Sequence, residues 1–298
     1  IVNLLEMKSG EWICAVVAVR DFDERFLVTA TRHGQIKKTE LSAYGNPRRG
    51  GILATGLGEG DEVVGAAITT GSDEIVLGSR DGQAIRFKEA DVRPMGRTAA
   101  GVRGIHLREG DRVVGMCIVD PQSSLLTVCE QGFGKRTDFD EYRIQSRGGY
   151  GIINIKTSER NGPVVGMKTV RDNDELMMIT YNGMIVRTGV AELRAIGRAT
   201  QGVRVIRLGE GDRLVSMARV ATEDDTPGDR PPGEESPDEP EPADREGGAE
   251  GSKEEPPANV TEERPEEAAP EGEAPSPDEE ESSEGPPEGS GGDDVTLL

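Results

Sequence analysis

The stretch EIVLGSRDGQAIRFK, at residues 74–88, has the pattern of a β-hairpin. Two short runs rich in Ile, Val and Leu flank the dipeptide Asp81-Gly82. Asp-Gly supplies the positive φ angles of a tight hairpin turn, so the stretch predicts two antiparallel strands. Residues 175–188 repeat the pattern around Asn182-Gly183.

The hairpin recurs about every 50 residues. Its turn glycines, spaced 48, 50 and 51 apart, are Gly34, Gly82, Gly132 and Gly183. Upstream of the turns, a second motif recurs at intervals of 50 and 51, beginning at Val63, Val113 and Val164 and returning at Leu214. Four short strands per period, with no amphipathic helical pattern between them, predict an all-β, propeller-like ring of four-stranded blades.

The period predicts four blades, at residues 12–61, 62–111, 112–162 and 163–212. Residues 1–5 match the last strand of a unit and residues 213–220 match the first, so we expect a partial ring within residues 1–222. Blades pack on their neighbours, and an incomplete ring is therefore expected to be less stable than a closed one. Trp12 falls near the position of Val63, which predicts a place in the core.

Residues 223–298 differ sharply in composition from the rest of the chain. They carry 28 acidic and four basic side chains, a charge of −24, whereas residues 1–222 carry +3 and the whole chain −21. Fourteen of the 18 prolines and none of the aromatic residues lie there. This composition predicts a disordered acidic tail. We hypothesise that the tail folds back over the basic residues of 1–222 and competes with the ligand that they bind; a solubilising spacer is the alternative.

Several classes of protein are excluded by composition. The longest apolar run, at residues 13–19, is far shorter than the ~20 residues that span a bilayer. Three cysteines without Cys-x-x-Cys spacing predict reduced thiols, a cytosolic location and no structural zinc. Two distant histidines offer little to a catalytic triad or a metal site, so we expect no catalytic residue, metal or cofactor in this chain.

A loop rich in Gly and Arg precedes the last strand of each predicted blade. Its arginines, spaced 48, 50 and 51 apart, are Arg49, Arg97, Arg147 and Arg198. If the blades are equivalent, these side chains form an arc, and arginine binds phosphate oxygens in a fork. The pattern favours sequence-tolerant binding of bent duplex DNA. The alternative is a protein scaffold whose arginines are ordinary solvated residues.

The predicted DNA contacts combine the loop residues with basic residues of the hairpins. The full set is Lys37, Lys38, Arg48, Arg49, Arg86, Arg97, Arg103, Lys135, Arg136, Arg147, Arg187, Arg198 and Arg204.

Four stretches resemble the C-terminal domain of the A subunit of bacterial DNA gyrase. They are FKEADVRPMGR (87–97), GVRGI (101–105), TSERNG (157–162) and GRATQGV (197–203). The resemblance implies a β-pinwheel whose blades exchange a strand and whose basic rim wraps duplex DNA. It also implies a bacterial cytoplasmic heterotetramer with the B subunit, an ATP-dependent type II topoisomerase that introduces negative supercoils. ATP and Mg²⁺ would then bind elsewhere in the complex, and the nucleophilic tyrosine would belong to another region.

One departure from the family pattern concerns its signature heptapeptide, Gln-Arg-Arg-Gly-Gly-Arg-Gly. The nearest stretches are QSRGGYG (145–151) and PRRGG (47–51), both degenerate. The alternative family is therefore the A-type subunit of topoisomerase IV, which serves decatenation or relaxation. Its C-terminal domain has the same architecture and a more degenerate form of this heptapeptide.

Overall fold

The computed structural model describes residues 12–48 and 51–220, which form fifteen β-strands and four short 3₁₀ turns without an α-helix. The strands are β1 Phe26–Thr31, β2 Gln35–Glu40, β3 Val63–Thr69, β4 Glu74–Ser79, β5 Gln83–Lys88, β6 Val102–Arg103, β7 Val113–Ile118, β8 Ser124–Cys129, β9 Phe133–Asp138, β10 Ile152–Ile153, β11 Val164–Val170, β12 Glu175–Thr180, β13 Ile185–Gly189, β14 Val203–Arg204 and β15 Leu214–Val220. The all-β prediction is confirmed. None of the helical turns in these ranges is long and apolar enough to cross a membrane. The predicted tail, 223–298, lies outside the described residues.

The strands form four small antiparallel sheets, each built around one predicted hairpin. The strand orders are β3-β1-β2-β6, β7-β4-β5-β10, β11-β8-β9-β14 and, in the last sheet, β15-β12-β13. We number these sheets one to four. The described sheets resemble the blades of a propeller, as the 50-residue period predicts.

The fourth strand of each of the first three sheets comes from farther along the chain, after the hairpin of the next sheet. β6 follows the hairpin of sheet two, yet it pairs with β2 of sheet one through Gln35↔Arg103 and Ile36↔Val102. β10 and β14 join the preceding sheets in the same way. A 50-residue unit of the sequence therefore places its hairpin in one sheet and its two flanking strands in the sheet before it. This is the strand exchange that the resemblance implies.

The inner strands β3, β7, β11 and β15 contact one another in turn. The motif that begins at Val63 allows this close packing, because the absence of a side chain at its glycine leaves room for a methionine of the next sheet. A Cβ at Gly65 would lie 3.1 Å from the Met116 Cβ, and one at Gly166 would lie 3.4 Å from the Met217 Cε. Three apolar clusters fill the spaces between consecutive sheets. The core is thus divided into sheet–sheet layers.

The hairpin turns are held by the strand that arrives from the next unit. At Gly82 (φ +85°), the backbone N–H groups of Asn154 and Ile155 both donate to the glycine carbonyl, at 2.9 and 3.2 Å. A Cβ at position 82 would lie 2.2 Å from the Ile155 carbonyl oxygen. Glycine is required here both by the left-handed backbone and by the close approach.

The expectation that Trp12 lies in the core is wrong. Residues 12–19 occupy the sequence position of an inner strand, but they pair with no strand in the described part of the chain. Trp12 is consequently 67% exposed. An inner strand becomes buried only when a hairpin pairs with it, and no described hairpin precedes this one.

Candidate nucleic-acid interface

The basic residues four positions after the hairpin glycines are held by carboxylates. Arg86 pairs with Glu74 across the hairpin, with an Nη2–Oε2 distance of 2.6 Å, and also donates to the carbonyl oxygens of Phe139 and Tyr142 in the next unit. The others form the ion pairs Lys38–Glu89, Arg136–Asp172 and Arg187–Glu175. These four side chains, predicted as DNA contacts, therefore serve contacts within the protein in this structure.

Lys37 and Lys135 are buried, at 2% and 1% exposure. The Lys37 Nζ donates to the carbonyl oxygens of Ala54 and Arg97, and the Lys135 Nζ donates to the Gly197 carbonyl at 3.0 Å and to the Thr137 Oγ1 at 2.7 Å. Burial lowers the pKa of both lysines, and a neighbouring loop arginine lowers it further; the pKa of Lys135 falls to about 8. Both ammonium groups support the arginine loops from beneath and are not surface groups.

The loop arginines occupy equivalent positions, as the spacing predicts. Each donates from Nη1 to a backbone carbonyl 44 or 45 residues earlier in the chain. The pairs are Arg97 to Leu53 at 3.3 Å, Arg147 to Arg103 at 3.1 Å and Arg198 to Ile153 at 2.8 Å. Each of these three half-buried arginines thus bonds the backbone at or near the exchanged strand of the preceding unit, which orders the guanidinium at the same place in the three repeats where the structure describes it.

The remaining predicted residues differ in their surroundings. Arg48, Arg103 and Arg204 are exposed. Arg204 lies over the Phe133 ring, with its Cζ 5.3 Å from the ring centroid. Arg49, the first of the four predicted loop arginines, lies outside the described residues.

A second row of arginines escaped the sequence prediction. Arg93, Arg143 and Arg194 are exposed and have no hydrogen-bond or ion-pair partner within 12–48 and 51–220. The residue after each of these arginines forms an isolated β-bridge with the hairpin of the preceding sheet. Pro94, for example, pairs with Lys38, and Ile144 pairs with Arg86. Their spacing of 50 and 51 equals that of the loop arginines, so the period itself was the signal that could have found them.

The basic surface, defined as Arg48, Arg93, Arg97, Arg103, Arg143, Arg147, Arg194, Arg198 and Arg204, is not free of negative charge. Asp91, Glu141 and Glu192 precede the second row by two residues and are also exposed. A surface of mixed sign attracts phosphate only where arginines approach it closely. Any phosphate that bound this surface would therefore be held by direct contact more than by long-range attraction.

The described residues show neither a metal site nor a reactive thiol. They contain no group of three or more His, Cys, Asp and Glu side chains that could hold a metal ion. Cys117 and Cys129 are buried, and burial raises the pKa of each thiol, to about 11 and about 12. Such thiols pack as small apolar groups.

Comparison with known families bears on this geometry. The family described as DNA gyrase C-terminal domain, beta-propeller, matches four segments, at residues 25–70, 73–120, 123–171 and 174–221. Each segment begins one residue before the first strand of a hairpin and ends one or two residues after the inner strand that follows it. The chain belongs to this family. Each matched repeat of the gyrase C-terminal family thus contains three consecutively paired strands of one sheet, and the last three repeats also contain the short strand that joins the preceding sheet.

Relatives of this gyrase domain support the assignment. The chain is 49% identical over 222 residues to the DNA gyrase A subunit of Salmonella typhimurium and 42% identical over 228 residues to that of Mycolicibacterium smegmatis. These matches cover 74% and 76% of this chain but only 25% and 27% of the relatives. The chain therefore spans about a quarter of the length of the gyrase proteins that it matches.

Two solved structures share the gyrase-domain fold. The C-terminal domain of DNA topoisomerase IV superposes with a TM-score of 0.69, and the gyrase A C-terminal domain with 0.67. Both are 27% identical to this chain and match 74% of it; the matches cover 69% and 74% of the two domains. Structural similarity does not separate the two families, whereas the sequence relatives quoted above are gyrase proteins.

Proposed function

We propose that this domain binds duplex DNA along the basic surface and serves as the DNA-wrapping module of a DNA gyrase A subunit. The observation that carries the proposal is the equivalent placement of Arg97, Arg147 and Arg198, each tied to the preceding unit by the same backbone bond. Guanidinium groups that are ordered at equivalent positions of successive units can each bind a backbone phosphate of a duplex that follows the repeat.

Binding of this kind requires side chains that are free to reach the phosphates. Arg93, Arg143 and Arg194 meet that requirement, since they are exposed and unpaired within the described ranges. The proposal does not depend on residues that are paired with other groups of the protein, whether buried or, like Arg187, exposed. These are Lys37, Lys38, Arg86, Lys135, Arg136 and Arg187. DNA contact by those six residues remains an untested prediction.

The proposal extends to the complex. Relatives of this chain are gyrase A subunits, so we propose an ATP-dependent type II topoisomerase formed with the gyrase B subunit in the bacterial cytoplasm, with ATP and Mg²⁺ bound elsewhere. The sequence relatives favour supercoiling over the decatenation expected of topoisomerase IV. A supercoiling assay with the full-length gyrase A protein that contains this chain, compared with the same protein lacking residues 12–220, would distinguish these activities.

DNA contact is tested with a triple variant, Arg93→Gln, Arg143→Gln and Arg194→Gln. Each phosphate contact contributes about 0.9 to the slope of log K against log salt, so losing three lowers the slope by about 2.7. Binding to a duplex of about 150 base pairs is measured by fluorescence anisotropy across a salt series, and wrapping by the linking-number change after ligation of a nicked circle.

The matched control removes three charges elsewhere. Arg108→Gln, Arg112→Gln and Lys168→Gln change exposed residues outside the basic surface by the same net charge. Equal losses in the two triple variants would contradict a specific interface and would favour the scaffold alternative.

A further inference from the structure

A cavity of about 430 Å³ lies beside the hairpin turn of sheet three. Its wall includes three arginines, Arg160, Arg204 and Arg213, together with Phe133 and Glu130. The surrounding backbone comes from the β8–β9 turn, the segment after β14 and the turn before β15. This cavity is separate from the loop arginines and from the second arginine row.

Two of the guanidinium groups share one aromatic ring. The Arg160 Cζ lies 4.8 Å and the Arg204 Cζ 5.3 Å from the centroid of Phe133. Arg204 is the register partner of Phe133 in the β14–β9 ladder, and Arg160 is tethered by a 3.4 Å hydrogen bond from Nη1 to the Gln201 Oε1. A ring holds a guanidinium without consuming its N–H donors, so most of these donors stay available to a ligand.

The acidic residues of the cavity have other partners. Asp212 accepts hydrogen bonds from the backbone N–H groups of Asn182 and Arg213, and Glu130 lies 3.7 Å from the Arg213 Nε. Arg213 also lies over the Tyr181 ring, at 4.1 Å. Arg160 and Arg204 have no carboxylate partner among the described residues, and both are exposed. The two positive charges on the Phe133 ring are thus uncompensated.

This arrangement breaks the repeat. The residues in register with Phe133, which begin the second strands of sheets one and two, are Gln35 and Gln83. Arg160 lies four residues before the inner strand β11. The equivalent residue before each of the other three inner strands is a glutamate, at Glu59, Glu109 and Glu210. Sheet three alone among the described sheets therefore combines the ring with two arginines.

We propose that Arg160 and Arg204, mounted on Phe133, form a phosphate-binding site. Arginine forks match the oxygen geometry of a phosphate group, and two of them on one ring can hold a single phosphate or pyrophosphate group. The phosphate belongs either to the backbone of bound DNA or to a free polyphosphate compound. The chemistry is the same, and the experiment separates the two sources.

The test titrates inorganic pyrophosphate into the chain by calorimetry at constant ionic strength. We expect saturable binding of one pyrophosphate, with a Kd of about 1 mM. Arg160→Glu should weaken it at least tenfold, and Arg204→Gln and Phe133→Gln severalfold. Glu stands at the position of Arg160 in the other units, and Gln stands at the position of Phe133 in sheets one and two, so the fold accommodates these two changes. Arg204 is exposed, so replacing it by Gln leaves the core intact. Circular dichroism spectra matching the wild type would confirm that the variants are folded.

The control is Arg112→Gln, which removes an exposed arginine outside the basic surface and outside the lining of this cavity. It should leave pyrophosphate affinity unchanged. An absence of saturable binding, or an equal loss in Arg112→Gln, would overturn the proposal. Displacement of pyrophosphate by a 30-base-pair duplex would identify the ligand as a DNA phosphate, and simultaneous binding would identify it as a free compound. Neither result depends on the Arg93, Arg143 and Arg194 variants, so the two proposals can fail separately.

Discussion

The free energy of unfolding of the wild type should rise with pH because Lys135 is buried, and replacing Lys135 by isoleucine should remove that rise. Sheet two makes this substitution informative, because Ile85 occupies the position of Lys135 in the equivalent hairpin: Leu77↔Ile85 corresponds to Thr127↔Lys135. The core between the sheets therefore accepts an isoleucine at this position. In the wild type, the ammonium group is held among Gly197, Thr137 and the apolar layer with 1% of the residue exposed.

The sign follows from the direction of the shift. Burial lowers the pKa of Lys135 from 10.5 to about 8 in the folded chain. Between these two values the unfolded chain binds more protons than the folded one, so stability rises with pH. Below about pH 8 both states are charged and the full penalty of burial applies. At about 1.36 kcal/mol per pKa unit, the rise is about 1 kcal/mol between pH 7.5 and 9 and about 2 kcal/mol by pH 10.

Two buried thiols oppose this trend above pH 9. Burial raises the folded-state pKa of Cys117 and Cys129 from 9.0, so the unfolded chain loses those protons first and stability falls as pH rises. The charge of Lys135 lowers the pKa of Cys129, so both proteins carry Cys129→Ala in this comparison. Cys117 is then the buried thiol common to both. Its contribution cancels, and the difference reports Lys135.

The assay is urea denaturation followed by circular dichroism at half-unit steps from pH 7.5 to 10. We expect the wild type to gain about 2 kcal/mol relative to Lys135→Ile over this range. A difference that stays constant within about 0.5 kcal/mol would refute the reasoning, because it would mean that the folded and unfolded chains hold the Lys135 proton equally.

Two further predictions concern the hairpin turns and the acidic tail. Gly82→Ala should lower the free energy of unfolding by about 3 kcal/mol or more, because a positive φ and a clash with the Ile155 carbonyl combine. Gly183 has the same φ of +85° but no atom within 4 Å of the added Cβ, so Gly183→Ala should lower it by only about 1 kcal/mol. Equal losses of the two variants in thermal unfolding would argue against the clash. Ending the chain after Thr222 should strengthen duplex binding at low salt, since 28 acidic side chains are removed, and an unchanged affinity would count against competition by the tail.

Much of the fold was predictable because the chain repeats itself. The Asp81-Gly82 and Asn182-Gly183 turns encode hairpins locally, and the 50-residue period implied equivalent sheets before any contact was known. The same period placed Arg97, Arg147 and Arg198 correctly relative to one another. Applied more widely, it would also have found Arg93, Arg143 and Arg194.

The candidate site was less predictable, because exposure and pairing depend on distant residues. Arg136 lies in the same strand position as Arg86, but its carboxylate partner, Asp172, is 36 residues away in the chain. Lys37 and Lys135 look like surface residues in an alternating strand, yet a loop about 60 residues later covers each of them. No local pattern separates a lysine that supports a loop from one that meets solvent.

The local sequence alone determined the strand content, the repeat length, the turn glycines and the family membership, because turn chemistry and β-propensity act over a few neighbouring positions. Folding in three dimensions settled something different: which sheet receives each strand and which charges remain unpaired. The Gln35↔Arg103 pairing joins residues 68 positions apart, and such pairings depend on how the sheets pack. The surface that we propose for DNA, and the ring that holds Arg160 and Arg204, exist only after that packing is complete.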